Sequence, residues 1–141
     1  MNKSYSYECL NCNLEELSKI RAFLNKVLKK YIDNELTISH LILVVDEAIT
    51  NLLEHSFSEK DNSLIIISLI FENNRLKIII SDNGKSFDLR DFVNIDMKEY
   101  FKSLKKGGLG IYIIKEIIDE IEYYPANSSQ KLNKLILIKQ I

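Results

Sequence analysis

The stretch KKGGLGIYIIKEIIDE, residues 105–120, holds three of the four glycines in the chain, directly before a helical pattern with isoleucines on one face. Glycine is a poor helix former, so its place here needs a reason. Free backbone N–H groups and the helix dipole make the beginning of a helix attractive to anions, and Lys105 and Lys106 add positive charge upstream. The tract is neither a Walker A loop nor a GxGxxG fingerprint. It indicates either a phosphate-binding turn or a plain loop-to-helix junction.

The fourth glycine, Gly84, lies in SDNGKSFD, residues 81–88, after an apolar run typical of a strand. Asp82 ends that run, and Asn83-Gly84 by itself would be a turn. The residues that follow make a poor partner strand. A carboxylate at a strand end, beside a flexible glycine, suits a ligand ring that donates hydrogen bonds and lies close to the backbone. A plain turn remains the alternative.

A third tract, LILVVDEAITNLLEHSF, residues 41–57, has the period of an amphipathic helix. Because each residue turns the helix by about 100°, Glu47, Asn51 and His55 form one polar stripe at the edge of the apolar face. A carboxylate and an amide one turn apart can hold a metal ion or orient a hydroxyl group. The alternative is an ordinary solvated flank.

Hydrophobic periodicity predicts the order β-α-α-β-β-(long connection)-α-β-β. Asn13 with Glu16 predicts a capping box, Thr37 a second helix cap, and Asn73-Asn74 a hairpin turn. The predicted elements are strand 4–10, helices 14–28 and 37–57, strands 63–71 and 75–81, helix 109–120, and strands 121–124 and 134–141, with short helical pieces at 88–92 and 97–104. This order predicts an α+β two-layer sandwich with a mixed, mostly antiparallel sheet and helices on one face.

Composition indicates a globular chain, since 46% of its 141 residues are hydrophobic and 28% are charged. The net charge of −1 gives no reason to expect nucleic acid or an anionic membrane as a partner. Apolar runs such as LIIISLIF are far shorter than the ~18 residues that span a bilayer, and the polar beginning MNKSYSYE is unlike a signal peptide. We expect a single cytoplasmic domain, residues 1–141.

Cys9 and Cys12 form a lone CxxC motif ahead of a predicted helix, which is the setting of a thioredoxin-type motif. A zinc site would need a second pair of ligands. We expect ordinary reduced cysteines at the end of the first strand, with a redox protein as a remote alternative.

Three stretches resemble, in order, the N, G1 and G2 boxes of the GHKL ATPase superfamily, whose ATP-binding domain has the Bergerat fold. They are DEAITNLLEH (46–55), DNGKSFD (82–88) and GGLGIYIIKEIIDEIEY (107–123). The chain is more closely similar to the anti-sigma factor serine/threonine kinases of bacteria. The resemblance runs from about Leu14 to the C-terminus, with the boxes in the right order and at suitable spacing.

The resemblance implies a role for each matching residue. Glu47 would be the general base, and Asn51 would hold the Mg²⁺ that bridges the ATP phosphates. Asp82 would accept a hydrogen bond from the adenine amino group, with Gly84 letting the base pack close. The stretch 83–107 would be a lid that closes over the triphosphate. The phosphate-binding tract would comprise Lys105, Lys106, Gly107, Gly108, Leu109 and Gly110.

Two positions depart from the family pattern and leave ATP affinity open. Ser86 stands where the G1 box often has a second glycine or a proline. The last strand, NKLILIKQI (133–141), lacks a threonine that often contacts nucleotide in the superfamily. His55 matches the family's usual histidine, and we expect it to be structural.

The resemblance implies an anti-sigma factor with ATP-dependent serine/threonine kinase activity. Its partners would be a sigma factor, which it sequesters, and an anti-anti-sigma protein of the STAS type, which it phosphorylates; a homodimer is also implied. Sensor histidine kinases would need a helical dimerisation module, and DNA gyrase relatives a transducer domain. The alternative function is a partner-sequestering module that binds ATP without catalysis or needs no nucleotide.

Overall fold

The structure, a computed structural model, describes residues 2–58, 62–92 and 108–141, with only the backbone of Phe92, Gly108 and Leu109. Its strands are β1 Lys3–Leu10, β2 Leu64–Glu72, β3 Arg75–Asp82, β4 Glu120–Tyr124 and β5 Asn133–Gln140. Its helices are α1 Leu17–Leu28, α2 Glu35–His55 and α3 Gly108–Ile117. Short 3-10 turns occupy Leu14–Glu16 and Leu89–Phe92, the second of which confirms the helical piece predicted at 88–92. Residues 93–107, with most of the predicted lid and the helical piece at 97–104, lie outside the described part.

The five strands form one sheet in the order β1-β2-β3-β5-β4. The predicted α+β class is confirmed, but all four strand pairs are antiparallel, so the sheet is not mixed. Asn73 and Asn74, with φ of 50° and 60°, make the predicted tight turn between β2 and β3. Strand β5 lies between β3 and β4. Because β5 is antiparallel to β3, it begins beside the end of β3.

Alternating side chains bury one face of this sheet beneath the helices. On the buried face, residues of neighbouring strands lie directly opposite each other. Ile67 is opposite Ile80, and Ile80 is opposite Leu135. The core that they share with the helices includes Ile20 and Leu24 of α1, Leu41, Val44 and Ile49 of α2, and Ile111 and Ile114 of α3. Each such side chain contributes roughly 1.5–3 kcal/mol through burial. The expectation of helices on one face is confirmed.

The ends of the helices differ from those predicted. Asn34, not Thr37, caps α2, because its side chain accepts hydrogen bonds from the backbone N–H groups of Leu36 and Thr37 at 2.9 and 3.1 Å. Asn13 caps the 3-10 turn before α1 by accepting from the N–H of Glu15 at 2.9 Å, rather than closing a box with Glu16.

Helix α2 runs through the centre of the helical layer. By length and mean hydropathy alone, 21 residues and 1.5, it could cross a bilayer. Core helices of soluble proteins pass the same test, and α2 buries Leu41, Val44, Val45 and Ala48 against the rest of the fold. Its composition is therefore explained by core packing.

Cys9 and Cys12 are joined by a disulfide, so the expectation of reduced cysteines was wrong. Cys9 is in β1, and Asn11, with φ 51°, turns the chain directly after the strand. This turn places the Cα atoms of the two cysteines 5.3 Å apart, within the usual range for a disulfide.

Candidate functional site

The predicted polar stripe of α2 lies along one wall of the candidate site. Glu47 is half-buried, Asn51 is only 2% exposed and His55 is exposed. The ring of His55 stacks on Phe87, with centroids 4.8 Å apart and planes 13° from parallel. This contact joins the end of α2 to the chain that follows β3, in keeping with a structural role for His55.

Glu47 lies against the first turn of α3. A Cβ atom added at Gly110 would be 2.7 Å from the Cδ atom of Glu47 and would overlap its Oε2. Any other residue at this position would displace the Glu47 carboxylate from where it lies. Two of the sequence-predicted residues, one from each helix, are thus brought into direct contact.

The environment of Glu47 makes its carboxyl group a better base than an exposed one. Burial raises the pKa above its ordinary value of 4.5, and the charges of Asp46 and Glu54 raise it further. A carboxylate with a raised pKa takes up a proton more readily than an exposed one. This is the expected property of a general base.

Asn51 carries a polar atom whose hydrogen-bonding capacity is not used within the described residues. Its Nδ2 atom is buried and has no hydrogen-bond partner there. Because such a group normally costs about 1–3 kcal/mol, it needs a functional explanation. Rotation of the amide by half a turn exchanges its oxygen and nitrogen, so this side chain can offer a ligand either group.

At its other end, α2 contacts the turn after β3. A Cβ atom at Gly84 would lie 2.6 Å from the carbonyl oxygen of Ser56 and 2.8 Å from the ring of Phe57. The glycine is therefore required by the packing of the chain on itself. The contacts give a packing reason for the glycine, and its role in letting an adenine ring lie close stays a prediction.

Asp82 is the last residue of β3 and is 2% exposed. Its Oδ1 atom accepts hydrogen bonds from the backbone N–H of Gly84 at 2.9 Å and from Nδ2 of Asn133 at 3.0 Å. Burial raises the pKa of Asp82, and these two bonds partly offset that effect. Both bonds from described residues fall on one oxygen, which leaves Oδ2 for a ligand.

Sequence reasoning missed Asn133, the first residue of β5, which is 0% exposed. Besides its bond to Asp82, Nδ2 donates to the carbonyl of Gly84 at 2.8 Å. Its Oδ1 accepts from the hydroxyl of Ser86 at 2.9 Å and from the N–H of Ala126 at 2.8 Å. One amide therefore ties together the carboxylate, the turn after it and the loop before β5.

The two departures from the family pattern lie at Ser86 and in the strand that Asn133 begins. Ser86 is the atypical residue of the G1 box, and Asn133 begins the strand that lacks the usual threonine. They are hydrogen-bonded to each other. In the sequence, Asn133 is only a polar amide at the start of an apolar run, and its pairing with Asp82 follows from the strand order.

We expect Asn133→Ala to lower the free energy of unfolding by roughly 2–4 kcal/mol, since several buried polar groups lose a partner at once. Urea denaturation measures this loss. The matched control is Asn127→Ala, because the Oδ1 of Asn127 also accepts backbone bonds, from Ser129 and Gln130 at 2.8 and 2.9 Å, but on the exposed surface. Equal losses in the two variants would contradict the role given to Asn133.

Not every predicted site residue can be located. Lys105, Lys106 and Gly107 lie outside the described residues. Gly108 and Leu109 form the beginning of α3. The described part therefore brings together Glu47, Asn51 and Gly110 along α2 and α3, and Asp82 with Gly84 at the end of β3.

The chain matches the family model described as "Histidine kinase-like ATPase domain" over residues 10–139. Among curated proteins, it is 32% identical over 109 residues to "Serine-protein kinase RsbW" of Listeria monocytogenes, covering 74% of this chain and 69% of the relative. The protein of the same name from Staphylococcus aureus is 34% identical over 116 residues, covering 78% of this chain and 72% of the relative.

The matched range contains all three boxes that surround the candidate site, and the antiparallel sheet with its helical layer is the fold expected of an ATPase of this kind. By its fold and by its extended match to the family model, the chain belongs to the histidine kinase-like ATPase domain family.

Proposed function

We propose that the chain is an anti-sigma factor that acts as an ATP-dependent serine/threonine protein kinase, with residues 1–141 as one ATP-binding kinase domain. The observation that carries this proposal is the position of Glu47, a half-buried carboxylate with a raised pKa beside the amino end of α3. The similarity to "Serine-protein kinase RsbW" supports it. A module that only sequesters a partner would have no use for such a base.

Asp82 binds the adenine ring. Its Oδ1 atom is held by Gly84 and Asn133, so the carboxylate cannot rotate freely. The Oδ2 atom accepts a hydrogen bond from the exocyclic amino group of the base. A purine with a carbonyl at that position would place two acceptors against each other, and adenine is therefore preferred.

The phosphates lie between α2 and the first turn of α3. Glu47 and Ser56, which contacts Gly84, are nine residues apart, or about 13 Å along a helix. This separation leaves room for a nucleotide extended along α2 from Asp82. The backbone N–H groups that begin α3 receive phosphate oxygens, as is usual for a helix amino end.

Asn51 fits a role as ligand of Mg²⁺, since its amide is buried beside this path and, after rotation by half a turn, would present its oxygen where the unpartnered Nδ2 atom lies among the described residues. An amide oxygen is a suitable ligand for this hard cation. When bound, Mg²⁺ would neutralise negative charge on the phosphates of ATP.

Glu47 removes the proton from a serine or threonine hydroxyl of the acceptor protein. The hydroxyl oxygen then forms a bond to the γ-phosphorus, the bond from that phosphorus to the bridging oxygen breaks, and ADP leaves. The proton stays on Glu47 until solvent removes it. The raised pKa of Glu47, caused first by burial, favours this transfer.

We propose two protein partners: a sigma factor, which is sequestered, and an anti-anti-sigma protein of the STAS type, which provides the hydroxyl. The chain acts in the cytoplasm, as a homodimer. Incubation with γ-labelled ATP, Mg²⁺ and the candidate acceptor tests the proposal, and we expect label on a serine or threonine of the acceptor. Sigma factor binding without any label on an acceptor would favour the sequestering module instead.

We expect Gly110→Ala to slow phosphoryl transfer by about 10- to 100-fold, because the new methyl group displaces Glu47 and small errors in position have large effects on rate. Alanine is otherwise the better helix former, so stability should not fall. The test is a double-mutant cycle with Glu47→Gln. Full additivity of the two rate losses would show that Gly110 does not act through Glu47.

A further inference from the structure

The proposed mechanism makes no use of the bonded pair Cys9–Cys12. Both residues are buried, 3% and 5% exposed, and they are the only cysteines of the sequence. Cys12 also lines a cleft of about 920 Å³ between the chain after β1 and the end of α2, together with Asn13, Leu53, Phe57 and Ser63. Cys12 therefore borders a surface cleft large enough for a small molecule, whereas Cys9 does not line it.

The strand register places this pair in line with the candidate adenine site. Cys9 is opposite Ile65, Ile65 is opposite Asp82, and Asp82 is opposite Asn133. Since neighbouring strands are about 4.8 Å apart, the backbone of Cys9 is only two strand spacings, about 10 Å, from that of Asp82.

Hydrogen bonds give a second connection, through the segment that enters β2. The carbonyl of Ser63 accepts from the N–H groups of Asn11 and Cys12 at 2.7 and 3.4 Å, and the Ser63 hydroxyl donates to the carbonyl of Cys12 at 3.0 Å. The turn that contains the disulfide is thereby attached to Ser63 at three points.

The next residue continues the connection to the site. The N–H of Leu64 donates to Oδ1 of Asn83 at 2.9 Å, and the carbonyl of Leu64 accepts from the N–H of Asn83 at 3.3 Å. Nδ2 of Asn83 donates to the carbonyl of Asn62 at 2.9 Å. Asn83 lies between Asp82 and Gly84. The segment 62–64 therefore contacts both turns, the disulfide turn through Ser63 and the predicted adenine-binding turn through Asn62 and Leu64.

We propose that Cys9 and Cys12 form a redox-active site whose state sets the affinity of the chain for nucleotide. This inference rests on the nucleotide binding proposed above. With the disulfide formed, the turn at Asn11 is closed and Ser63 is fixed. With the disulfide reduced, this turn is free to move, and the position of Asn83 and Asp82 is less well defined. The oxidised form therefore binds nucleotide more tightly.

The reactant is a dithiol, either small or carried by a protein. Its thiolate enters from the cleft and bonds to Sγ of Cys12, the Sγ–Sγ bond breaks, and Cys9 leaves as a thiolate that takes up a proton. The second thiol of the reductant then releases Cys12 as a thiol. Two electrons and two protons pass to the chain, and the reductant ends as a disulfide.

The test compares the dissociation constant of a fluorescent ATP analogue, with Mg²⁺, for the oxidised and the reduced chain. Alkylation and mass spectrometry count the free thiols, with none expected after oxidised glutathione and two after dithiothreitol. We expect the reduced chain to bind at least about fivefold more weakly, the lower end of usual coupling between sites. The double variant Cys9→Ser, Cys12→Ser should bind the ATP analogue with the dissociation constant of the reduced chain, and oxidised glutathione should not change that constant.

Ser63→Ala serves as a second variant that keeps both cysteines. It should still form the disulfide, but the difference in affinity between its two states should be smaller than in the wild type, because the hydroxyl bond to Cys12 is lost while the two bonds to the Ser63 carbonyl remain. An unchanged difference would show that the Ser63 hydroxyl does not carry the coupling. Two free thiols after oxidation, or equal affinity in the two states of the wild type, would overturn the proposed redox control of nucleotide binding but not the proposed function. Absence of nucleotide binding in both states would overturn the proposed function as well.

Discussion

Glu47→Gln is expected to lower the rate of phosphoryl transfer by about 10²–10⁴, the usual contribution of a general base. Glutamine has the shape of glutamate but cannot take up the proton of the acceptor hydroxyl. Affinity for Mg-ATP and for the sigma factor should change little, because Glu47 is not assigned to the binding of either. Single-turnover transfer to a serine acceptor, at saturating ATP, measures the effect.

Two controls make the result specific to Glu47. Glu35→Gln, an exposed glutamate in the first turn of the same helix, should leave the rate unchanged. Asn51→Ala should fail differently, by losing Mg²⁺-dependent ATP binding. A wild-type transfer rate in Glu47→Gln would reject the role of the base.

The pH dependence provides a separate check. A base works only when it is deprotonated, so the rate should fall as pH falls through the pKa of Glu47, which burial raises above its ordinary value of 4.5. This limb of the profile should therefore appear at higher pH than for an exposed glutamate. It should be absent from Glu47→Gln.

Asp82→Asn is expected to weaken ATP binding by roughly 5- to 150-fold, which corresponds to about 1–3 kcal/mol for one buried hydrogen bond. The carboxylate accepts on both oxygens, whereas an amide places a donor on one side. Either the bond to the adenine amino group is lost, or the bonds from Gly84 and Asn133 meet a donor. Calorimetry measures the affinity.

Asp33→Asn is the matched control, since Asp33 is exposed in the chain between α1 and α2. Its ATP affinity should equal that of the wild type. Urea denaturation separates the effect on binding from an effect on folding. Unchanged ATP affinity in Asp82→Asn would remove Asp82 from the adenine site.

The helical stripe was predictable because it depends on local periodicity alone. Glu47 and Asn51 are four residues apart on a long amphipathic helix, and the apolar pattern fixes which side of that helix is buried. The α+β class was predictable for a similar reason, since the order of helical and strand periods limits the possible layers.

Asn133 was not predictable in this way because its role depends on strand order. It is 51 residues from Asp82 in the chain, and only the insertion of β5 beside β3 makes them neighbours. The cap of α2 was misassigned for a local reason, since Asn34 and Thr37 are both good N-cap residues and lie within one turn.

Glycine and cysteine patterns showed where the chain is unusual without showing why. Gly84 was expected to admit a ligand, which stays a prediction, whereas its contacts with the carbonyl of Ser56 and the ring of Phe57 give a packing reason that the sequence did not indicate. Likewise, a CxxC motif is compatible with two free thiols or with a disulfide, and the turn at Asn11 is what brings the sulfur atoms of Cys9 and Cys12 together.

A crystal structure with Mg²⁺ and a non-hydrolysable ATP analogue tests the central claim most directly. We expect the adenine amino group within about 2.7–3.2 Å of Oδ2 of Asp82, the cation on Asn51, and the γ-phosphate between Glu47 and the first turn of α3. A nucleotide bound away from α2, or one whose adenine does not contact Asp82, would contradict it.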